Sequence, residues 1–558
     1  MEEEMLFRDK HGLPEWRMQC KEPAIRHRVL HIDLKGPKIP VEIFAHLLET
    51  LARWGINGVL VEYEHRIPQL PLSYQFPSYD RYTEKELGDL MVLAQQLGIE
   101  WIPLIQTFGH VEYLSRLKGT RELFENPVWA NQLCPSKPET RQYLSKLIKY
   151  VCQIHPQSMR IHVGQDETHQ LGSCPACKKR MDKLGGRMEL YLDHAKWVWN
   201  EVFASGRIPM FWGDMLLGEG RIDLIAGIDE RVIPLPWEYG TTGKTGRFVI
   251  YKGFRPVKAQ FRNPYREGFL PYGPVKSGHY VEDLPAEDLE KIGGLDSETG
   301  YPRDCPQLRV MAKTGRPLWG TCAAYMSADM PFHANYIRGF LNPNQMAETL
   351  VELGGEGIIA TMWARGHSFA PMNAPWTLVL FNIAQFAASS WTGKTSPEDL
   401  RKRAGGIASE LDMPQKFEDG WILDDILWMV SGSNYAAGSG AKLSTIPFVL
   451  DILKKAGVSG CFGEGLKLAL AGEHIQNKLR FIQEECKWWY PTRKEMPAVL
   501  RNDMKKRLRE ALVEAQKLRG PFQRYYLKWV GDRKSFNVWW KGLFDLDSRI
   551  SKDIVRLF

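Results

Sequence analysis

The sequence predicts an α/β protein, a (β/α)8 TIM barrel followed by a mostly helical C-terminal domain. Eight short segments are rich in β-branched and aromatic residues, and each ends in polar residues or glycine, as buried strands do. Helical stretches lie between most of these segments, which favours a parallel sheet, and eight parallel strands close such a barrel. The 558 residues also exceed what one hydrophobic core usually supports, so we expect a second domain.

The predicted strands lie in the first two thirds of the chain. They span 28–35, 58–65, 100–109, 159–167, 208–215, 231–239, 316–325 and 357–365. The helices predicted between them span 41–54, 84–97, 139–154 and 187–203. The segment 240–315 is too long for a simple connection and is rich in glycine, proline and aromatic residues. We therefore expect it to be a large loop insertion at the end of the barrel where active sites lie.

The last third of the chain shows no convincing strand pattern. We interpret 375–391 as the helix that closes the barrel, so the predicted domains are a catalytic barrel over 1–394 and a helical domain over 395–558. Apolar residues recur on one face of 502–519, and we predict that this helix stops at Gly520-Pro521.

The positive charge is concentrated at the C-terminal end. Residues 478–558 hold 20 Lys+Arg and 10 Asp+Glu, a balance of +10, against a net charge of +7 for the whole chain. A basic segment can favour nucleic acid, and it can equally be the solvated face of helices. Since the chain shows no RNP, zinc-finger or helix-turn-helix signature, we expect no nucleic-acid partner.

The N-terminal segment and the cysteines indicate a cellular location. MEEEMLFRDKHG is acidic and lacks the apolar region of a secretory signal, and no run approaches the ~18 apolar residues that span a bilayer. The nine cysteines are an odd number scattered along the chain, which indicates reduced thiols. We therefore expect a cytoplasmic protein with no membrane partner, and the sequence leaves a monomer and a homodimer both open.

One cysteine pair lies close together, in the segment CPAC at 174–177. A C-x-x-C pair can be half of a zinc site or a redox pair. No second such pair and no nearby pair of histidines completes a set of four ligands, so we predict no metal and no cofactor. A metal or a disulfide that staples this loop stays open.

The segment RIHVGQDETHQLG, residues 160–172, carries the chemistry. An apolar strand ends there at two adjacent carboxylates, Asp166 and Glu167. On a pleated strand the two side chains would point to opposite faces, so both reach one pocket only if the chain leaves the strand at this point. The C-terminal end of a barrel strand provides that exit, at the catalytic face.

Paired carboxylates are what glycoside cleavage requires, because one must protonate the leaving oxygen and another group must stabilise the oxocarbenium-like centre. The two acids usually come from different strands. Adjacent acids instead indicate the substrate-assisted exception, in which the 2-acetamido oxygen of the sugar attacks C1. The 19 tryptophans fit core filling, and some of them also fit a sugar site, because a flat indole stacks on a pyranose.

The sequence resembles glycoside hydrolase family 20, the β-N-acetylhexosaminidases, and is most similar to the hexosaminidase D branch. The family signature His-x-Gly-x-Asp-Glu is matched by HVGQDE at 162–167. The other matching segments are HIDLKG (31–36), VEYEH (61–65), LIQTFGH (104–110), FWGD (211–214), PWEY (236–239) and TMWAR (361–365). They follow in the family order from about residue 30 to 365, and their combination is specific.

The resemblance implies a role for each matched residue. Asp166 would hold and polarise the acetamido group, and Glu167 would protonate the glycosidic oxygen and then activate water. Retention of configuration through an oxazolinium intermediate would follow, with no metal or organic cofactor. His110 matches a histidine that hydrogen-bonds the general acid, and Glu62 or Glu64 would complete a carboxylate–histidine–carboxylate relay that tunes Glu167.

The resemblance also implies an aromatic box around the sugar and its acetamide methyl. A tyrosine of the family donates to the acetamide oxygen, with Tyr239 as the first candidate and Tyr325 as the second. Asp214 would contact a sugar hydroxyl or orient a neighbour. The tryptophans expected in the box are Trp212, Trp237, Trp319 and Trp363.

Two positions depart from the family pattern. Many members have an arginine at the end of the first strand that grips the 3- and 4-hydroxyls, whereas this chain offers Asp33 and Lys35. Many also have a glutamate after the last-strand tryptophan, where this chain has Ala364 and then Arg365. The choice between GalNAc and GlcNAc therefore stays open, and the preference of the hexosaminidase D branch for galactosaminides favours GalNAc.

Two other functions are compatible with the same residues. One is another acetamido-assisted barrel glycosidase, and the other is a non-catalytic glycan-binding barrel. The intact pair Asp166–Glu167 favours an enzyme whose partner is a glycan with a terminal N-acetylhexosamine.

Overall fold

The structure is a computed structural model of the chain. The residues that it describes are 12–218, 221–239, 248–250, 278–280, 286–291, 293–298, 300, 303–326, 331–368, 370–393, 397–436, 438–489 and 496–544.

Eight parallel strands form one sheet within these described residues. In spatial order they run β6-β5-β4-β3-β2-β1-β10-β9. Their bounds are β1 (His27–Asp33), β2 (Gly58–Glu62), β3 (Glu100–Leu104), β4 (Arg160–His162), β5 (Ile208–Trp212), β6 (Ile233–Leu235), β9 (Trp319–Tyr325) and β10 (Gly357–Met362). A separate antiparallel pair consists of β7 (Phe248–Ile250) and β8 (Gly278–Tyr280).

The sheet closes on itself between β6 and β9. Trp237, just beyond β6, forms a parallel bridge to Thr321 of β9. The Glu238 N–H donates to the Thr321 carbonyl, and the Thr321 N–H donates to the Pro236 carbonyl, both at 3.0 Å. The predicted (β/α)8 barrel is therefore confirmed, and its interior is a packed apolar core, as is usual for this fold.

Helices surround the barrel in its N-terminal part. Their bounds are α1 (Glu15–Gln19), α2 (Val41–Trp54), α3 (Glu84–Gln96), α4 (Pro138–Ile154), α5 (Pro175–Leu184), α6 (Arg187–Ala204), α7 (Asp214–Gly218), α8 (Ile222–Ala226), α9 (Ala286–Lys291), α10 (Pro306–Ala312), α11 (Tyr336–Leu353) and α12 (Leu380–Thr392).

Local sequence explains where these helices begin and end. Helix α2 presents an apolar stripe to the barrel and stops at Gly55, whose φ of 92° is left-handed, a conformation that glycine adopts without steric cost. Thr83 is the N-cap residue of helix α3 and forms a capping box with Glu86. The stripe of α2 consists of Phe44, Leu47, Leu48 and Leu51.

The region after the barrel is helical, as predicted. Its helices are α13 (Pro397–Glu410), α14 (Leu423–Ala436), α15 (Gly438–Lys455), α16 (Gly460–Trp489), α17 (Ala498–Trp529) and α18 (Arg533–Phe544). The predicted stop at Gly520-Pro521 is wrong, because α17 continues through Pro521 to Trp529. Buried aromatic residues after Pro521 pack into the core, and their burial outweighs the local cost of a proline inside the helix.

The C-terminal helices share one hydrophobic core with the barrel. Tyr525 of α17 hydrogen-bonds Thr377 at 2.7 Å, and Trp376 donates to the Val530 carbonyl at 3.3 Å. His333 bonds Glu473 of α16 at 2.9 Å. The boundary predicted between 394 and 395 stays a prediction.

Most of the predicted insertion at 240–315 lies outside the described residues, and so does its predicted contribution to the pocket wall. The described parts are β7, β8, α9 and α10. Among the helices that the structure describes, none combines the length and the hydropathy needed to cross a membrane.

Candidate active site

The backbone after β4 turns two consecutive carboxylates toward one cavity. Strand β4 ends at His162, so the predicted strand residues 163–167 form a loop instead. Gln165 and Glu167 both have positive φ, 78° and 48°, in a region that side-chain-bearing residues occupy at a cost of about 1–3 kcal/mol. These two left-handed residues break the strand alternation, and Asp166 and Glu167 both line the cavity.

His110 lies between the two carboxylates. Its Nε2 atom is 3.2 Å from Asp166 Oδ2 and 3.4 Å from Glu167 Oε2. Burial would lower the pKa of this imidazole, but the charge and hydrogen bonds of Asp166 and Glu167 outweigh burial and raise it well above its ordinary value. The two acids therefore favour the protonated form of His110.

Close approach of two loops makes this contact possible. Residue 109 is a glycine, and a Cβ atom there would overlap the Asp166 carbonyl oxygen. The Thr107 hydroxyl donates to the Val163 carbonyl at 2.7 Å, which fixes the loop after β3 against the loop after β4. His110 itself has a φ of 53°, so the backbone of both loops is left-handed at the site.

Asp214 positions Glu167 from the other side. Its Oδ2 atom accepts a hydrogen bond from the Glu167 N–H at 3.1 Å, which fixes the left-handed residue. Burial raises the pKa of Asp214 to about 8, and the negative charge of Asp166 adds to that shift. Asp214 therefore binds its proton more tightly than an exposed aspartate does.

A buried ion-pair network lies below the cavity, at the end of β1. Lys35 Nζ is 2.9 Å from Glu62 Oε1 and 3.2 Å from Asp33 Oδ1. His31 Nε2 lies 3.0 Å from Glu62 Oε2, and Gln106 donates to Glu62 Oε1 at 3.0 Å. Burial would lower the pKa of Lys35, but the two carboxylates outweigh it, so Lys35 stays charged.

Aromatic rings form the walls of the cavity. Trp237 and Tyr239 are stacked, with ring centroids 5.1 Å apart, and the centroids of Trp212 and Trp363 are 6.1 Å apart. Trp363 Nε1 donates to the Tyr239 hydroxyl at 3.2 Å, which orients both rings. The Lys35 ammonium lies 4.8 Å from the centroid of the Trp363 ring.

The cavity has a volume of about 190 Å³. Asp166 Oδ1 is a buried atom that has no hydrogen-bond partner in the described part of the protein, although its residue lines the cavity. Such an atom indicates a polar ligand. The full lining is Lys35, His110, Asp166, Glu167, Trp212, Trp237, Tyr239, Met326, Trp363, Arg365 and Gly366.

Several predicted substrate-binding residues do not line this cavity. The predicted place of Trp319 in the aromatic box is wrong. Trp319 is the first residue of β9, pairs with Gly357 at the opposite end of the barrel, and stacks on His27. Tyr325 is buried and its hydroxyl accepts the Ala374 N–H at 2.7 Å, so the structure favours Tyr239.

Glu62 and Glu64, the predicted relay partners of His110, have other partners in the structure. Glu62 is fully buried and pairs with Lys35 and His31, while Glu64 accepts from the Ser368 hydroxyl at 3.0 Å. The acidic partners of His110 are instead the two carboxylates at 166 and 167.

Asp33 and Asp214 act from behind the cavity lining. Asp33 Oδ2 accepts the Ala364 N–H at 2.9 Å, which joins the end of β1 to the residue before Arg365. Lys35, Met326 and Gly366 also line the cavity and are not among the site residues predicted from the sequence. The segment HIDLKG could have indicated Lys35 as a site residue, because many family members have an arginine at the end of the first strand.

Comparison with known proteins gives a consistent picture. Residues 64–265 match the family model described as glycosyl hydrolase family 20, catalytic domain. Hexosaminidase D from Homo sapiens is 31% identical over 217 residues, which is 38% of this chain and 44% of that protein. Hexosaminidase D from Bos taurus is 29% identical, over 38% of this chain and 63% of that protein. The chain thus spans about half the length of the curated relatives it matches.

Solved structures are similar at lower identity. A β-N-acetylhexosaminidase from Bacteroides fragilis NCTC 9343 has 16% sequence identity, a TM-score of 0.47 and coverage of 70% of both chains. A chitobiase from Flavobacterium johnsoniae has 15% identity, also with a TM-score of 0.47, over 88% of this chain and 75% of that one. The predicted resemblance is confirmed by the family model and by the curated relatives.

Proposed function

We propose, on the premise that residues 64–265 belong to the catalytic domain of glycosyl hydrolase family 20, that this chain is an exo-acting retaining β-N-acetylhexosaminidase. One observation carries the proposal. Asp166 and Glu167 are adjacent in sequence, both line one cavity, and His110 contacts both. Two carboxylates on one side of a sugar fit a reaction in which the substrate supplies its own nucleophile.

In the first step the acetamide oxygen attacks C1 and the bond to the aglycone oxygen breaks. Asp166, whose Oδ2 lies 3.2 Å from His110 Nε2, accepts the acetamide N–H through its unpartnered Oδ1 and stabilises the positive charge of the oxazolinium ring. Glu167 transfers its proton to the leaving oxygen. In the second step Glu167 takes a proton from water, the water oxygen attacks C1, and the C1–O bond of the oxazolinium ring breaks to return the acetamide, so the configuration is retained.

Glu167 is the carboxyl placed to donate the proton. His110 contacts both Asp166 and Glu167, and Asp214 accepts the Glu167 N–H. Glu167 is the most exposed of the three, with 41% of its side chain accessible, whereas Asp166 is 9% accessible. Glu167 is therefore the member that can reach a glycosidic oxygen in the cavity.

Sugar recognition follows from the cavity lining. The rings of Trp212, Trp237 and Trp363 offer flat apolar faces to a pyranose and its acetamide methyl. The Tyr239 hydroxyl is placed to donate to the acetamide oxygen. Lys35 and Arg365 also line the cavity, and their charged groups would bind the ring hydroxyls. We propose GalNAc as the preferred terminal sugar, which rests on the similarity to the hexosaminidase D branch.

The proposal is tested with nitrophenyl glycosides of β-GalNAc, β-GlcNAc and β-glucose. We expect turnover of the two acetamido sugars and none of the glucoside, because the glucoside has no acetamide to attack C1. Glu167→Gln should reduce kcat by several orders of magnitude while binding of an acetamide-cyclised inhibitor persists. Glu122→Gln is the matched control, since Glu122 is exposed and lies outside the cavity.

Two results would contradict the proposal. Hydrolysis of the plain glucoside as fast as of the acetamido sugars would remove the substrate-assisted step. Unchanged turnover in Glu167→Gln would remove Glu167 as the acid. Faster hydrolysis of β-GlcNAc than of β-GalNAc would contradict the sugar preference alone.

A further inference from the structure

Three thiols converge at one point outside the cavity. Cys134 Sγ lies 3.8 Å from Cys174 Sγ and 3.6 Å from Cys177 Sγ, and all three sulfur atoms lie within 4.8 Å of one another. Cys134 and Cys177 are fully buried, and Cys174 is half-buried. The segment CPAC, which looked incomplete in the sequence, therefore gains a third sulfur from a residue 40 positions earlier.

The spacing of the sulfur atoms is that of ligands on one tetrahedral metal ion. A Zn–S bond of ~2.3 Å and tetrahedral angles place two thiolates about 3.8 Å apart. The measured separations of 3.6 and 3.8 Å match this value. A disulfide would bring two sulfurs to ~2.05 Å and leave the third thiol unpaired.

The N-terminus of helix α5 faces the cluster. Cys174 caps helix α5, and its sulfur accepts a hydrogen bond from the Cys177 N–H at 3.3 Å. The positive end of the helix dipole therefore faces two of the sulfurs. Arg180 lies beside the cluster and donates to the Pro135 carbonyl at 2.6 Å. Its guanidinium also pairs with Asp193 of helix α6.

We propose that Cys134, Cys174 and Cys177 bind one zinc ion, with the fourth ligand a water molecule or the Ser136 hydroxyl. Ser136 Oγ is 3.1 Å from Cys177 Sγ, so it lies at the edge of the cluster. In the part of the chain that the structure describes, no histidine joins the three sulfur atoms as a ligand. This inference does not rest on the proposed glycosidase activity.

The zinc ion staples the two loops that carry the candidate catalytic residues. Cys134 ends the loop after β3, which holds His110, and the C-x-x-C pair follows the loop after β4, which holds Asp166 and Glu167. These loops are also joined at Glu125.

Glu125 acts alongside the cluster. Its Oε1 atom accepts the N–H groups of Gly172 and Cys174 at 2.8 and 3.2 Å, and its Oε2 atom accepts from Gln132 at 2.9 Å. The Gln132 side chain in turn accepts the Gln170 N–H at 3.1 Å. Zinc would lock a region where hydrogen bonds already join the loops, so its removal should loosen the contact of His110 with the two acids.

The test measures metal content in the full chain. The protein is produced in zinc-supplemented medium, purified with a reductant and without chelator, and analysed by elemental mass spectrometry. We expect one zinc per chain in the wild type and a content near zero in Cys134→Ser and Cys177→Ser. Cys20→Ser is the matched control, because Cys20 is a half-buried free cysteine that is not in the cluster, and it should keep its zinc.

A second measurement does not depend on the variants folding. Titration of the wild type with a mercurial thiol reagent should release one zinc ion per chain to a chromogenic chelator. Cobalt substitution should give the thiolate-to-cobalt charge-transfer absorption of a sulfur-rich tetrahedral site. A wild type that carries no zinc, zinc content unchanged in Cys134→Ser, or a Cys174–Cys177 disulfide in the freshly isolated protein would each overturn the proposal.

Discussion

The buried lysine below the cavity gives the sharpest prediction. Lys35 Nζ is 2.9 Å from Glu62 Oε1 and 3.2 Å from Asp33 Oδ1, and all three side chains are at most 3% exposed. Lys35→Met keeps the length and most of the apolar volume of the side chain and removes only the charge. Two buried carboxylates would then lie close together without their common cation.

The magnitude follows from the distances. At an effective dielectric constant of ~20, unit charges 3 Å apart interact by about 5 kcal/mol, and desolvation of the ions offsets much of this. Removing one partner of a buried pair costs about 3–5 kcal/mol, because an uncompensated charge stays buried. We therefore expect Lys35→Met to lower the free energy of unfolding by about 3–5 kcal/mol.

Urea unfolding of matched variants measures this loss. Lys38→Met is the control, because Lys38 pairs with Glu86 at 3.3 Å in a site where the side chains are 20% and 31% exposed. Such a pair contributes less than about 1 kcal/mol. The double variant Lys35→Met/Glu62→Gln should recover part of the lost free energy of unfolding, because it also removes one of the two uncompensated carboxylates.

Two outcomes would refute this reasoning. One is a loss in Lys35→Met no larger than in Lys38→Met. The other is a double variant whose loss is the plain sum of the two single losses.

Three further predictions concern the loop after β4, a buried acid and the aromatic residues. Gly164→Ala should destabilise the protein by more than Gly98→Ala, because both glycines have φ near 70° but only at Gly164 would a Cβ overlap a facing side chain; equal losses in urea unfolding would contradict this. Burial raises the folded-state pKa of Glu64 to about 8, above its ordinary value of 4.5, so stability should fall as pH rises from about 4.5 to 8, and Glu64→Gln should flatten that fall; unchanged pH profiles would count against it. Trp237→Ala should raise KM for an acetamido glycoside, whereas Trp319→Ala should leave KM unchanged if it folds.

The elements of the barrel were readable from the sequence because each strand is a short run of buried residues. Each of the eight predicted strands covers most or all of an observed strand, although β4 and β6 are shorter than predicted, at Arg160–His162 and Ile233–Leu235. Helix α17 was misjudged because local glycine and proline preferences were given more weight than the packing of Phe522 and Tyr526, which only the tertiary structure shows.

The site was partly readable for a similar reason. Asp166, Glu167, His110 and the tryptophans that end strands could be placed together, because carboxyl ends of barrel strands meet at one face. Trp319 was misplaced because it begins its strand, and a shift of six residues along β9 moves a side chain from one end of the barrel to the other.

The sequence by itself determined the fold class, the adjacent acids at the end of the fourth strand, and the set of aromatic residues from which the cavity walls are built. Only the tertiary structure decided which side chains contact each other: His110 contacts both acids, Lys35 pairs with Asp33 and Glu62, and Cys134 lies beside the C-x-x-C pair. The physical reason is the separation in sequence between the residues that interact. Hydrophobic periodicity acts over neighbouring residues, whereas ion pairs and thiol clusters form between loops that are distant in sequence and are brought together when the barrel closes.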